Sequence, residues 1–293
     1  RQGIFFTLVL VSYLAEAELT LKDLIYFQIA STFLGFIYLL IINRKILKLL
    51  IFPFKDWKVV TQMVQYGRFV FGTSISSLLS RSLDQFMLSY LLGPTAVAIY
   101  NPAVRVANII EVPSNSVATL VFPLSAKKSV DNDKKSLKYL YEKSVGYILA
   151  ILLPIILIVI FFSDSIIGLI APEGYGEAAT ILNIYILSIL FIPFGRQFGV
   201  IFDSMGKQKI TFYLILITAL INIFINYIFI KQIGILGAAF AMLITFSLRF
   251  IVNQLLLYKH LNIKMLNVFK YIPDFYVLVI SQISQSTGIK EKV

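Results

Sequence analysis

The stretch "SSLLSRSLDQFMLSYLLG", residues 76–93, decides how this chain is read. It places Arg81 and Asp84 in a run otherwise dominated by Leu, Phe and Met. At helical spacing, Ser74, Ser77, Arg81, Asp84 and Gln85 fall within an arc of about 100°, and Ile75, Leu79, Leu83, Phe86 and Tyr90 take the far side. A helix of a water-soluble protein would turn the polar arc to solvent. Whether solvent is there to receive it depends on the rest of the chain.

The rest is oily. Of 293 residues, 58% are hydrophobic, with 25 Phe against one Trp, and the mean hydropathy is +0.85. Soluble domains lie nearer 45–50% apolar. Seven runs approach the roughly 20 residues that cross a hydrocarbon core: 24–42, 66–92, 95–124, 145–162, 178–202, 210–230 and 233–257. An eighth, Ile4–Ala15, is shorter. Lipid tolerates only helices or closed barrels, because every backbone polar group must be paired inside the protein. The runs are too long for barrel strands. The expected fold class is therefore an all-α polytopic membrane protein of about eight transmembrane helices.

The absence of Cys and the single His260 exclude disulfides, thiol nucleophiles, cysteine-zinc sites and His-based triads within this sequence. No metal or cofactor is expected, and no catalytic residue is assigned. The net charge of +11 is placed for a membrane and not for nucleic acid. Arg1, 43–65, 125–144, 203–209 and 258–293 together hold nineteen Lys/Arg, whereas the opposite loops hold Lys22 and Lys231. By the positive-inside rule the basic side is cytoplasmic and both termini lie there, in a bacterial inner membrane with lipid as the surrounding partner. Residues 54–64, with Trp57, Val60 and Met63/Val64 at helical spacing, read as a helix lying in the headgroup plane. Residues 131–145 read the same way, through Leu137, Leu140 and Tyr141. The apolar patch 275–280 is too short to span. "DND", 131–133, matches a metal-binding acidic pair, but acidic residues before Lys134 and Lys135 are better read as a helix start. "GYGEAA", 174–179, lacks the strand that a dinucleotide fingerprint requires.

Ionisable residues inside spanning helices are costly and normally face a bundle interior or a wet cavity. Asn101, Arg105, Asn108 and Asn115 align within about 80° on the second helix of this region, with Glu111 at the edge. Arg81 and Asp84, at i and i+3, are spaced to pair. Further helices carry Arg196 with Gln197, Asn222 with Asn226, and Arg249 with Asn253. Asn222 and Asn226 read as interhelical hydrogen bonds, and Gly195 with Gly199 as a packing pair. The intramembrane arginines, Arg68, Arg81, Arg105, Arg196 and Arg249, outnumber the carboxylates Asp84 and Glu111. That surplus suits an anion, because guanidinium forks match phosphate oxygens. Pro102, Pro113, Pro123, Pro154 and Pro193 interrupt three of the runs, as in bent cavity-lining helices.

Asp84 followed by "LLGPTAVAIYNPAVRV" (91–106), "EGYGEAATILNIYILSILFIPF" (173–194), "SMGKQK" (204–209) and "NIFINYIFIKQIGILGAAFAM" (222–242) carry a resemblance in their order and spacing. The chain resembles bacterial polysaccharide flippases of the multidrug/oligosaccharidyl-lipid/polysaccharide exporter superfamily. It departs from the family pattern at Lys231-Gln232, where the family often has Pro, and at Ala98-Ile99, where it often has Gly. The resemblance implies two six-helix lobes around a cavity. In that frame 1–42 holds the last two helices of an incomplete N-terminal lobe, 43–65 is a cytoplasmic interfacial linker, 66–257 is a six-helix C-terminal lobe, and 258–293 is a cytoplasmic tail. The missing initiator Met and the clipped first helix fit a fragment.

The implied function is flipping of a lipid-linked, pyrophosphate-bearing oligosaccharide by alternating access, with a proton or sodium ion as possible coupling partner. The expected substrate-binding residues are Arg81, Asp84, Arg105, Asn101, Asn108, Arg196 and Arg249. Asp84 would orient Arg81 or carry a coupling proton. The rivals are a cation-coupled multidrug exporter or a peptidoglycan-precursor flippase of the same superfamily. A membrane polysaccharide polymerase or glycosyltransferase is the enzyme alternative, and it lacks the large loop such enzymes need.

Overall fold

The computed structural model describes residues 2–14, 20–44, 57–171 and 174–287. Secondary structure in these residues is helical throughout, and the chain divides into two compact units, 1–62 and 63–293. The first contains α1 (Gln2–Leu14) and α2 (Leu21–Ile42), which pack on each other. At the start of α2, Thr20 and Asp23 form a reciprocal capping box.

The second unit begins within α3 (Trp57–Leu92). It continues with α4 (Pro94–Ile110), α5 (Val112–Val130), α6 (Lys134–Phe161), α7 (Ser163–Ile170), α8 (Glu177–Ile189), α9 (Ile192–Ser204), α10 (Gln208–Ile233) and α11 (Ile235–Leu261). A 3₁₀ turn, Met265–Lys270, leads into α12 (Tyr271–Thr287). Prolines mark the breaks: Pro94 opens α4, Pro113 opens α5 and Pro193 opens α9, where a missing N–H costs no hydrogen bond. The protein is a multi-pass membrane protein. Among the described residues, six spans are long and apolar enough to cross a bilayer: Lys22–Ile42, Pro94–Val130, Lys134–Phe161, Glu177–Ser204, Gln208–Ile233 and Ile235–Leu261. The seventh expected run, 66–92, is helical within α3, with the polar arc diluting its hydropathy.

Two expectations about short headgroup-plane helices are corrected. Residues 57–64 are the first turns of α3, without a break before 66. No proline or glycine stands between Trp57 and Tyr66 to end a helix. Residues 54–56 lie outside the described residues. Likewise 134–145 belong to α6, and Leu137 and Tyr141 are buried in protein instead of facing headgroups. "DND" does start a helix: Asp133 is the N-cap of α6, accepting from the Ser136 amide at 3.0 Å and its hydroxyl at 2.6 Å.

The core of the second unit falls into two clusters. One joins α4, α6, α8 and the start of α11 through residues such as Tyr100, Ile148, Leu182 and Ala238. The other joins α6, α9 and the end of α11 through Tyr141, Phe198, Phe202 and Leu257. Small residues set the helix spacing, as is usual where lipid removes the hydrophobic drive. Ala103, Ala107, Ala178, Ala238 and Ala239 are fully buried. At Gly237 a methyl would come within 2.3 Å of the Phe229 backbone, so α11 turns back onto α10 only because that position lacks a side chain.

Candidate functional site

A cavity of about 870 Å³ lies within the second unit. It is lined by α3 (Thr73, Ser77, Ser80), α5 (Asn115, Thr119, Phe122), α9 (Arg196, Asp203), α10 (Thr211, Thr218) and α11 (Thr245, Arg249, Asn253). Along α11 the lining runs from Met242 to Asn253, about 16 Å of helix at 1.5 Å per residue. Its polar side chains come from the arcs that the sequence puts on separate helices. Its apolar wall is aromatic, with Phe191, Phe246 and Phe250 among the lining residues.

One of the two lining arginines, Arg249, has a particular seat. Arg249 lies with its guanidinium carbon 5.9 Å from the centre of the Phe246 ring, within cation–π range. Gly195 also lies against it, and a methyl there would come within 2.8 Å of an Arg249 nitrogen. Gly195 thus makes room for a charged side chain, and the expected packing role of the Gly195/Gly199 pair divides: a methyl at Gly199 would meet only Thr211, at 3.7 Å. Phe250 is fixed edge-on by Phe194, with centroids 4.9 Å apart. Among the described lining residues the only carboxylate is Asp203, seven residues along α9 from Arg196, about 10 Å of helix rise. Among the described lining residues two arginines thus stand against one carboxylate.

Next to the cavity is a buried polar chain. Asn226 donates to an Asp84 carboxylate oxygen at 2.7 Å and to Asn222 at 3.0 Å. Asn222 donates to Thr245 at 3.4 Å, and Thr245 donates to the Ala241 carbonyl at 2.7 Å. All four side chains are buried. Both Asn226 amide protons are engaged, which fixes its orientation and leaves Oδ1 buried without a hydrogen-bond partner. A carboxylate away from water needs an opposing charge or a proton. The Asp84 carboxylate, the Asn222 amide oxygen and the Thr245 hydroxyl put oxygens along this chain, and the Asn226 amide nitrogen stands between those of Asp84 and Asn222. Among the described residues, no group of three or more His, Cys, Asp and Glu gathers for a transition metal. Thr245 belongs to both the chain and the cavity lining, and Arg249 sits one turn further along α11.

The expected site residues are thus distributed over more than one place. Arg196 and Arg249 line the cavity together. Asp84 is in the buried chain. Asn101 accepts from Gln85 at 3.0 Å, joining α4 to α3. Arg105 and Asn108 are exposed on α4 and are not among the cavity lining. The Arg81 side chain lies outside the described residues. Sequence reasoning missed Asn226 as the partner of Asp84, though the i, i+4 spacing of Asn222 and Asn226 was its signal. It also missed Thr245, which nothing in the local sequence distinguishes from a helix-bonding threonine.

The MatE family model matches residues 69–228, and the family model "Polysaccharide biosynthesis protein" matches residues 3–129. The chain is 29% identical over 231 residues to "Uncharacterized membrane protein MJ1068" of Methanocaldococcus jannaschii, covering 75% of this chain and 46% of that protein. It is 23% identical over 213 residues to "Probable low-salt glycan biosynthesis flippase Agl15" of Haloferax volcanii, covering 71% of this chain and 44% of that protein. Among solved structures, a crystal structure of MATE in complex with MaL6 superposes with a TM-score of 0.66 at 16% identity. That match covers 82% of this chain and 55% of the other. The chain spans about half the length of the curated relatives it matches.

Proposed function

This chain belongs to the MatE family, and from that premise we propose that it serves to flip a lipid-linked oligosaccharide across a bacterial inner membrane by alternating access. Residues 66–257 form one lobe and 1–42 belong to the other, with 43–65 connecting them. The observation that carries the reading is the cavity: two arginines, Arg196 and Arg249, stand beside aromatic walls, against one carboxylate, Asp203, among the described lining residues. A cation exporter would need the opposite sign. A pyrophosphate offers several oxygens to guanidinium forks, and Phe191 and Phe246 give the adjoining sugar an apolar wall. The similarity to a glycan biosynthesis flippase supports the same substrate class. Arg81, Arg105, Asn101 and Asn108 are proposed to meet the substrate from α3 and α4.

The Asp84 chain is proposed as the coupling site, taking a sodium ion or a proton. Filling it would neutralise the buried carboxylate and draw α3, α10 and α11 together. Thr245 would pass that change to Arg249, one turn along α11. The mechanism asks for no covalent chemistry, only a charge that binds better in one orientation of the lobes than in the other.

The test is binding of a short-chain polyprenyl pyrophosphate disaccharide to the detergent-purified full-length protein, followed by native mass spectrometry. Loss of Arg249 should weaken binding about 10- to 100-fold, the value of a charged hydrogen bond. A cationic dye should not compete. Competition by the dye, with binding indifferent to Arg196→Ala and Arg249→Ala, would favour a drug exporter.

A further inference from the structure

The segment after α11 does more than trail from the lobe. Val268 is fully buried among Leu137, Tyr141 and Leu261, and Lys138 donates to the Asn262 carbonyl at 2.8 Å. Asn267 donates to the buried Glu142 at 3.1 Å. From this anchor α12 runs along α6. The rings of Tyr271 and Tyr139 meet at 5.9 Å, those of Phe275 and Tyr147 at 5.3 Å, and the Tyr276 hydroxyl donates to the Ala150 carbonyl at 2.6 Å. At Gly146 a methyl would come within 2.7 Å of both the Val268 carbonyl and Tyr271 Cβ, so the approach is as close as backbones permit.

The order of these contacts gives a direction: positions rise together on both helices, so α12 is parallel to α6. Since α6 leaves the basic end of the lobe, α12 does too. The apolar run of α6 starts at Val145, so Tyr276 at the level of Ala150 is about 8 Å inside it. Ser284, eight residues on, is about 12 Å deeper, past the middle of a hydrocarbon core roughly 30 Å thick. Two faces of α12 are apolar. Ile272, Phe275 and Val279 are half-buried, while Val277 and Ile280 are 67% and 63% exposed. Over 275–280 the helix is thus apolar on both faces, and an apolar stretch of that kind belongs in a protein core or in lipid.

We propose that residues 271–287 are embedded in the bilayer as a further membrane helix, entering beside α6 from the basic side, with Val277 and Ile280 against acyl chains. This replaces the reading of 258–293 as a cytoplasmic tail. The sequence hides the helix because Ser281, Gln282, Ser284, Gln285 and Ser286 lower its hydropathy. Serines need not oppose insertion, because Ser281 returns its hydroxyl to the Leu278 carbonyl at 2.8 Å. Lys264, Lys270 and Asp274 lie at the entry, where headgroups would solvate them.

The proposal takes its name for the entry side from the reading of the basic face as cytoplasmic, and the test separates the two. In the full-length protein, made free of other cysteines, single cysteines are introduced by Ser129→Cys, Ser165→Cys, Gln282→Cys and Ile280→Cys. An impermeant maleimide reports the side for the first three. A nitroxide on Ile280→Cys, in proteoliposomes, reports relaxation by oxygen against a water-soluble nickel chelate. Gln282→Cys should resist labelling from the side that labels Ser129→Cys, and oxygen should relax the nitroxide at least several-fold more than nickel. Labelling of Gln282→Cys together with Ser129→Cys, with nickel dominant at 280, would overturn the insertion. Exchange of the Ser129→Cys and Ser165→Cys sides would overturn only the orientation.

Discussion

A methyl at Gly195 would come within 2.8 Å of an Arg249 nitrogen, whereas one at Gly237 would come within 2.3 Å of the Phe229 backbone. The first neighbour is the end of a flexible side chain and the second cannot yield. Gly195→Ala should therefore keep near-normal membrane levels and melting temperature while lowering transport about tenfold by displacing Arg249. Gly237→Ala should cost about 1–3 kcal/mol as an overpacked contact, seen as a lower melting temperature in detergent. Asp84→Asn is the sharper change, because an amide oxygen at 84 still accepts from Asn226 and the fold should hold. If Asp84 carries the coupling ion, transport by this variant should lose its response to both sodium and proton gradients. A gradient response equal to that of the parent would remove Asp84 from coupling. Arg196 and Arg249 were legible as candidates because charge inside an apolar run needs a reason. The seat at Gly195 was not, because a glycine in sequence does not reveal which helix it meets.

The start of α6 shows what one polar residue does for an element. Asp133 accepts from the Ser136 hydroxyl and amide, and these bonds hold its carboxyl below the usual carboxylate range. A depressed pKa stabilises the folded state above the unfolded value near 3.9, and that contribution fades as pH falls through the folded pKa. Asp133→Ala should lower the melting temperature at pH 7, with the difference shrinking below about pH 4. An equal difference at both pH values would mean that the cap is not electrostatic. The existence of the helices could be read from hydropathy alone, and their proline breaks from steric rules. The boundaries of α3 and α6 could not. Lysines and tryptophan at helical spacing look alike whether the helix lies on the headgroups or extends beyond the membrane. Leu137 and Tyr141 are buried by α9 and the end of α11, more than fifty residues away in sequence.

For the whole molecule, the placement of nineteen Lys/Arg on one side and of Lys22 and Lys231 on the other predicts that 125–144 and 203–209 face the cytoplasm and 163–177 faces outward. Ser129→Cys and Ser165→Cys should label from opposite sides, and labelling from one side would contradict the helix count. The sequence shows a surplus of arginine inside apolar runs, but the composition of this cavity depends on five helices meeting, which periodicity cannot supply. Its sign is the centre of the account. The most direct test is flipping of a polyprenyl-pyrophosphate-linked oligosaccharide in proteoliposomes containing the full-length protein, read by enzymatic access to the sugar in the outer leaflet. Joint replacement by Arg196→Ala and Arg249→Ala should slow flipping at least 10- to 100-fold at equal reconstitution, and Arg249→Lys should recover only part of it, because a point charge lacks the bidentate fork. Flipping at the parent rate by the double alanine variant would contradict the claim that this cavity holds the anionic headgroup.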